Sequence, residues 1–147
     1  MKFFFPFFFF PLILFAQQPS HYVLGARELQ GVDIYDMLHA SNGDHLLATT
    51  NGVIRFDGYR FRQVGCQDMI MSSVFNLVED ANGNIYCNNL SGQVFRIDGN
   101  GCQPLLLLPD SLLSPDYDLA VDDQNRLIIS GDKLLAVEPN GQLTVLA

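Results

Sequence analysis

Residues 34–64, IYDMLHASNGDHLLATTNGVIRFDGYRFRQV, carry three turn signals, each of which separates two apolar-rich runs. The signals are Asn42-Gly43, Asn51-Gly52 and Asp57-Gly58. Asn-Gly and Asp-Gly are the dipeptides that best supply the positive φ angles of both central residues in a two-residue hairpin turn. Three such turns in succession predict a meander of four short antiparallel strands.

The rest of the chain repeats this unit twice. The second copy, VFNLVEDANGNIYCNNLSGQVFRIDG from Val74, follows the first at an offset of 40 residues, and the offset is 41 by its last turn. We assign the extra residue to Gln93, at the third strand. The third copy, YDLAVDDQNRLIISGDKLLAVEPNG from Tyr117, is looser. A four-stranded unit that repeats about every 40 residues is typical of β-propeller blades.

The repeats predict an all-β chain of three propeller blades, at about 32–72, 73–115 and 116–147. Closed propellers have typically four to eight blades. We therefore expect an incomplete propeller. The missing blades would come from a longer reading frame, which we favour, or from other copies of the chain.

The phrases NGDHLLATTNGVIRFDG and NGNIYCNNLSGQVFRIDG resemble the repeat of the two-component regulator propellers, the periplasmic sensor propellers of bacterial hybrid two-component systems. That repeat has an aspartate turn, then "GNIW-GT", then "NG" and an aromatic strand that ends in Asp. Here Leu46, Tyr86 and Ile128 replace the tryptophan, and Gly-Thr survives as Ala48-Thr49. The resemblance spans Val32 to Ala147. It implies the N-terminal part of a sensor with about three repeats, whose ligand is commonly a glycan and whose signal passes to a kinase.

The chain opens with MKFFFPFFFFPLILFAQQ, in which one lysine precedes an uncharged run of 14 residues from Phe3 to Ala16. A basic start with a short apolar run is the pattern of a secretory signal, and a membrane-spanning helix needs roughly 20 residues. We expect residues 1–16 to be a signal peptide, and the chain to be periplasmic or extracellular. In the N-terminal segment 17–31, Tyr22 to Leu24 could complete the last blade as a terminal strand.

Acidic residues dominate the composition, with 16 Asp and Glu against 8 Lys and Arg and a formal net charge of −8. Such a surface makes nucleic acid and anionic membranes poor partners. We expect no nucleic acid, and a small extracellular molecule or a glycan as the ligand.

Three cysteines in an exported chain leave at least one of them unpaired within it. By the repeat register, Cys66 follows the outer strand of the first copy and Cys102 begins the outer strand of the second, whereas Cys87 lies inside a second strand. Cys66 with Cys102 is the one pair to test. We favour three buried or unpaired thiols, because Cys packs well as a small apolar residue.

Few residues of the sequence suggest catalysis or metal binding. His39 and His45 flank the first turn and could face each other, but two histidines without a third ligand make a poor metal site. The residues Asp80, Asn82 and Asn84 imitate the start of a calcium loop, and they equally suit an ordinary tight turn, which we favour. Neither a nucleophile motif nor a phosphate-binding glycine loop is present. We therefore expect no catalytic residue, no metal and no cofactor.

The longer loops are the best candidates for a binding site. In a propeller, the connections between blades and the turns between second and third strands share one face around the axis, and ligand sites generally form from such loops on a rigid scaffold. The connections here are Gly65 to Ser73 and Pro109 to Pro115. The candidate ligand wall consists of Asn51, Asp68, Met69, Ser91, Asp110, Ser111 and Asp132.

Two alternatives to a non-catalytic sensor remain open. One is a fragment of a lactonase-like or lyase-like propeller enzyme, which would hold a metal with acidic and amide side chains on the axis. The third copy reads equally well as a repeat of the lactonase-like or NHL-like kind. The other is a passive scaffold for protein interactions, which no small ligand would stabilise.

Overall fold

The computed structural model describes residues 22–114, 116–138 and 141–146, so the predicted signal peptide lies outside the described residues. The described chain is all-β; it contains no helix, and hence none able to cross a bilayer. Its strands form three four-stranded antiparallel sheets, and each sheet is a meander in chain order. The strands are β1 (Ile34–His39), β2 (His45–Thr49), β3 (Gly52–Phe56), β4 (Phe61–Val64), β5 (Phe75–Glu79), β6 (Ile85–Asn88), β7 (Gln93–Asp98), β8 (Gly101–Leu107), β9 (Asp118–Val121), β10 (Leu127–Ser130), β11 (Leu134–Val137) and β12 (Leu143–Val145).

We name the sheets blade 1 (β1–β4), blade 2 (β5–β8) and blade 3 (β9–β12). The first strands of neighbouring blades lie next to each other, β1 beside β5 and β5 beside β9. The fourth strands form the outer edges, and the described blades do not close into a ring. The prediction of three meanders in an incomplete propeller is confirmed.

The turns after the first strands are three-residue loops, so the expectation of two-residue turns is wrong there. In blade 1 the Ala40 amide donates to the Asp44 carbonyl at 2.8 Å, and the Gly43 amide donates to the Ala40 carbonyl at 2.9 Å. Positive φ falls on Gly43 alone, at 91°. A three-residue hairpin loop needs only one left-handed residue. In blade 3, Asn125 takes that position with φ of 61°, which explains why the third copy lacks the Asn-Gly signal.

Apolar side chains fill the two spaces between adjacent blades. Blade 2 is covered on both faces, and its strand β7 is therefore buried along almost its whole length rather than on alternate residues. The cluster between blades 1 and 2 contains Ala40, Leu46, Ala48, Val53, Val74, Leu77, Ile85, Cys87, Phe95, Ile97 and Cys102. The cluster centred on blades 2 and 3 contains Val94, Leu108, Tyr117, Leu119, Leu127, Ile129, Leu135 and Val137.

Cys66 and Cys102, the one pair singled out for testing, form a disulfide, so the favoured expectation of three buried or unpaired thiols is wrong. Cys66 follows β4 and makes a lone β-bridge to Cys102 in β8, with the two Cα atoms 4.6 Å apart. The bond fastens the outer edge of blade 1 to the outer edge of blade 2. Cys87 is the free thiol; it is fully buried, and burial raises its pKa to about 12.

Residues 26–31 form turns, and Tyr22 to Leu24 form no strand among the three described blades, so their role in completing a last blade stays a prediction. The segment of residues 22–31 packs on the face of blade 1 that points away from blade 2. A methyl group on Gly25 would lie 2.7 Å from Leu29 Cδ1 and 2.9 Å from Phe61 Cζ. Phe61 lies on that outward face, because the alternate positions of the sheet face blade 2. The segment thus covers part of the surface that another blade could cover.

Candidate functional site

The loops that carry most of the predicted ligand wall lie on one side of the blades. The connection after blade 1 contacts the β6–β7 turn, where the Ile70 amide donates to Gln93 Oε1 at 2.7 Å. The connection after blade 2 approaches the β10–β11 turn in the same way, with Ser114 Oγ 3.4 Å from Asp132 Oδ1. We call this side the connection face; it comprises residues 65–73, 109–114 and the turns 50–51, 89–92 and 131–133.

Three of the seven predicted residues come together on this face. Asp68 and Met69 belong to the connection after blade 1, and Ser91 belongs to the turn that this connection contacts. Gln93 Nε2 donates to the Asp68 carbonyl at 2.8 Å, and Ser91 Oγ donates to Asn89 Oδ1 at 2.7 Å. Asp68 has a φ of 53°, a left-handed conformation that is uncommon outside glycine. The connection is therefore held in a defined bend at Asp68.

The other four predicted residues lie apart from this group. Asp110, Ser111 and Asp132 are exposed in their loops. Asn51 lines a cavity of about 180 Å³ on the outward face of blade 1, where Glu28 and other residues complete the wall. The remaining six line none of the five main cavities of the described chain, so the seven residues do not share a cavity there. Their role in ligand binding stays a prediction.

Two buried amide side chains, which sequence reasoning missed as site residues, organise the connection face. Gln93 is 6% exposed and Asn89 is fully buried. Gln93 Oε1 accepts from the Ile70 amide and from Asn89 Nδ2 at 3.0 Å, and Asn89 Nδ2 also donates to the Met71 carbonyl at 3.1 Å. The Tyr117 hydroxyl donates to the Asn89 carbonyl at 2.6 Å and so ties blade 3 to the same turn. We call these contacts the Gln93–Asn89 network. The one signal that could have revealed it is the extra residue of the second copy, but the register places that residue in the turn between Asn89 and Gln93, so its assignment to Gln93 is wrong.

A second cavity, of about 240 Å³, opens between blades 2 and 3 on the opposite side, which we call the turn face. Sequence reasoning did not predict it. The wall combines amide, carboxylate, guanidinium and phenol groups with three apolar side chains; its residues are Asp80, Asn82, Asn84, Tyr86, Arg96, Leu105, Gln124, Asn125, Arg126, Leu127, Val137 and Glu138.

Two charged side chains of this cavity pair with each other, Arg126 with Glu138 at 3.7 Å, and Asp80 is held by neutral donors. Asp80 Oδ1 accepts from the backbone amides of Asn82 and Asn84, and Asp80 Oδ2 accepts from Asn84 Nδ2 at 2.8 Å and from the Tyr86 hydroxyl at 3.0 Å. Burial alone would raise the pKa of Asp80, but these hydrogen bonds outweigh it and lower the pKa. Burial, with the bond to Asp80, raises the pKa of Tyr86 to about 12. These residues thus form a tight turn, as the interpretation we favoured from sequence requires.

The two histidines face each other across the first loop, as expected. The ring centroids of His39 and His45 are 4.5 Å apart, and the row of rings continues to Phe56 and Phe61 on the outward face of blade 1. No group of three or more His, Cys, Asp or Glu side chains placed to hold a metal occurs in the part of the chain that the structure describes.

The architecture is similar to that of virginiamycin B lyase from Staphylococcus aureus. The alignment has a TM-score of 0.62 and 16% identity, and it covers 74% of this chain and 39% of that one. A catalytically inactive form of the lyase with quinupristin gives a TM-score of 0.63 and 16% identity, over 76% of this chain and 40% of that one. This chain therefore spans about two fifths of the length of the lyase chains. At this identity the likeness establishes the propeller fold alone.

A looser alignment, with a TM-score of 0.32 and 15% identity, joins 77% of this chain to 23% of the extracellular domain of the proposed hybrid two-component system BT4673 from B. thetaiotaomicron. So low a TM-score carries no functional argument. A scan against protein-family models and a search of curated proteins each found no match. The resemblance to the two-component regulator propellers therefore rests on the repeat phrases themselves.

Proposed function

We propose that this chain is part of an exported sensor propeller that binds an extracellular ligand on its connection face and has no catalytic activity. The observation that carries the proposal is the Gln93–Asn89 network, which holds Asp68, Met69 and Ser91 in position before a ligand binds. A loop that is ordered in advance loses little conformational entropy on binding, so a larger share of the contact energy becomes affinity.

The disulfide supports the export of the chain. Disulfides persist in oxidising compartments and are rare in the cytosol. The bond between Cys66 and Cys102 therefore agrees with the signal peptide predicted for residues 1–16. The resemblance of the repeats to the regulator propellers supports a role in passing a signal to a kinase.

The chemistry around Asp68 favours a neutral ligand with several hydroxyl groups. Asp68 supplies a carboxylate acceptor, Ser91 a hydroxyl and Met69 a polarisable apolar contact. The stretch from residue 63 to residue 95, which contains both loops, has no Lys or Arg, so nothing in it would attract an anion. A glycan fits this combination.

Thermal unfolding of the full chain with a panel of neutral oligosaccharides tests the proposal. A ligand at a hundred times its Kd stabilises the folded state by about 2.7 kcal/mol, which raises the Tm of a domain of this size by about 10 °C. Asp68→Ala should abolish the shift. Asp123→Ala, which removes an exposed carboxylate from the turn face, should preserve it.

Three results would count against the proposal. If no oligosaccharide raises the Tm, the passive scaffold is the better reading. A shift that survives in Asp68→Ala places the site elsewhere. Recovery of a chemically altered oligosaccharide, with a Tm that rises on addition of calcium, would favour the enzymatic alternative.

A further inference from the structure

Three large apolar side chains stand exposed together on the connection face. Ile70 is 65% exposed, Met71 is 40% exposed and Leu90 is 49% exposed. The loop and the turn that carry them are joined by the bond from Asn89 Nδ2 to the Met71 carbonyl. The three side chains belong to connecting loops, which stay accessible when a propeller closes, so their exposure does not follow from missing blades.

A cavity of about 360 Å³ lies directly beside Leu90. Its wall includes the rings of Phe75 and Tyr117 and one carboxylate, that of Asp116. Phe75 stacks on Tyr35 with ring centroids 4.5 Å apart, which holds this part of the wall in place. An aromatic wall with a single carboxylate suits a side chain with an apolar stem and a cationic head, such as Lys or Arg.

Acidic groups outnumber basic groups around this surface. Between Arg62 and Arg126 the only basic residue is Arg96, which pairs with Asp98 at 3.1 Å and lines the cavity on the turn face. The connection face and the cavity wall together carry four acidic residues, Asp68, Asp110, Asp116 and Asp132, against one basic residue, Lys133 in the β10–β11 turn. Such a surface repels a second copy of itself and an anionic bilayer, and it attracts a basic partner.

We propose that Ile70, Met71, Leu90 and the cavity at Asp116 form a docking surface for a peptide segment of a protein partner. The segment carries at least two large apolar side chains, which contact the exposed trio, and a Lys or Arg that enters the cavity. This function goes beyond the proposed recognition of a small ligand.

The network beneath the surface gives the docking residues their rigidity. Gln93 and Asn89 bond to the backbone of residues 68, 70 and 71, so the exposed side chains project from a fixed loop. A few apolar anchors on a rigid frame carry most of the affinity of a typical interface. Acidic groups around the anchors speed association and select the sign of charge of the partner.

Selection from a random library of displayed 12-residue peptides tests the proposal. The full chain is immobilised, and peptides that also bind the Leu90→Ser variant are removed. We expect the surviving sequences to combine large apolar residues with Lys or Arg. As soluble labelled peptides they should bind the chain with a Kd that rises at least tenfold in Leu90→Ser and severalfold in Asp116→Asn, measured by fluorescence anisotropy.

Matched variants separate docking from folding. Leu90 is half exposed, so Leu90→Ser should unfold at nearly the temperature of the unaltered chain. Tyr59→Ser removes a side chain that is 92% exposed on the turn face, and it should leave peptide affinity unchanged. Raising the salt concentration from 50 to 500 mM should weaken binding, because part of the attraction is electrostatic.

Four outcomes would overturn the proposal. These are a selection that yields no peptide specific for Leu90, a selection that yields acidic peptides, a concentration-dependent dimer lost in Leu90→Ser, and binding to zwitterionic vesicles lost in the same variant. The last two would assign the surface to a second copy or to a membrane. Oligosaccharide stabilisation without peptide binding would leave the proposed function standing and remove only this inference, whereas peptide binding without oligosaccharide stabilisation would do the reverse.

Discussion

Loss of the disulfide should remove a large part of the stability of this chain. The bond between Cys66 and Cys102 closes a loop across a sequence separation of 36 residues. The chain-entropy relation for a loop of that length gives about 4 kcal/mol. Small domains are stable by only about 5–15 kcal/mol in total. At about 4 °C per kcal/mol, we expect the Tm to fall by about 15 °C on reduction.

Urea unfolding followed by tyrosine fluorescence measures the effect, since the chain has no tryptophan. The unaltered chain is compared with and without a phosphine reductant, and so is a Cys66→Ala, Cys102→Ala double variant. The double variant should have the stability of the reduced chain, and the reductant should not change it. Cys87→Ala should lose as much stability on reduction as the unaltered chain. A loss of unfolding free energy below about 1 kcal/mol on reduction would refute the entropic stabilisation by the disulfide between blades 1 and 2. The detection of three reactive thiols in the denatured, unreduced chain would refute it as well.

Three further predictions concern single residues. Gln93→Ala should cost about 2–4 kcal/mol in urea unfolding and speed hydrogen exchange at the Ile70 amide, because it leaves buried groups without partners; unchanged exchange would contradict this. The pKa of Cys87 is raised in the folded chain, so the contribution of this thiol to stability is intact below the ordinary thiol pKa of 9.0 and is lost as the pH rises from there towards 12. The urea midpoint of Cys87→Ala should therefore fall less over this pH range than that of the unaltered chain. Equal falls in the two midpoints would exclude the effect. Gly25→Ala should lower the Tm more than Gly31→Ala, since both have positive φ but only Gly25 has side chains within 3 Å of the added methyl group; equal losses would mean that residues 22–31 do not pack on blade 1.

The strand pattern was predictable because the first two copies keep their turn residues at a nearly constant period and the third keeps the apolar runs between its turns. Loop geometry was not, because an Asn-Gly pair suits two different loops. It can place both residues in the left-handed region of a two-residue turn, or it can place only Gly43 there, in a three-residue loop. The backbone bonds between Ala40 and Asp44 select the second, and only coordinates reveal them.

The repeat register predicted which strands carry the cysteines of the disulfide, but it did not predict that the two cysteines are in contact. Register correctly assigned Cys66 and Cys102 to the outer edges of neighbouring blades. It could not say whether those edges meet, because that distance depends on how one blade is staggered against the next. Burial of Cys87 was expected from its place in a second strand, and the structure agrees.

The face shared by the connecting loops was predictable from sequence, whereas the contacts that organise those loops were not. Loop position alone placed Asp68, Met69 and Ser91 on one face. The residue that holds them, Gln93, lies where the β6–β7 turn ends, and the extra residue of the second copy lies within that turn, so the insertion by itself does not reveal that the Gln93 side chain bonds two loops. The longer β6–β7 turn is therefore the point at which blade 2 departs from blade 1.

The two end faces of the stack differ, and the difference bears on how further blades would join. Residues 22–31 cover part of the outward face of blade 1, with Gly25 against Phe61. On blade 3, Leu134 points away from blade 2, since Leu135 faces it, and Leu134 is 37% exposed. A following blade would therefore meet an open face on blade 3, whereas a blade that returns to blade 1 would have to stack on residues 22–31 or displace them. Both events involve the faces of the end blades, whereas Ile70, Met71 and Leu90 lie on loops at the connection face.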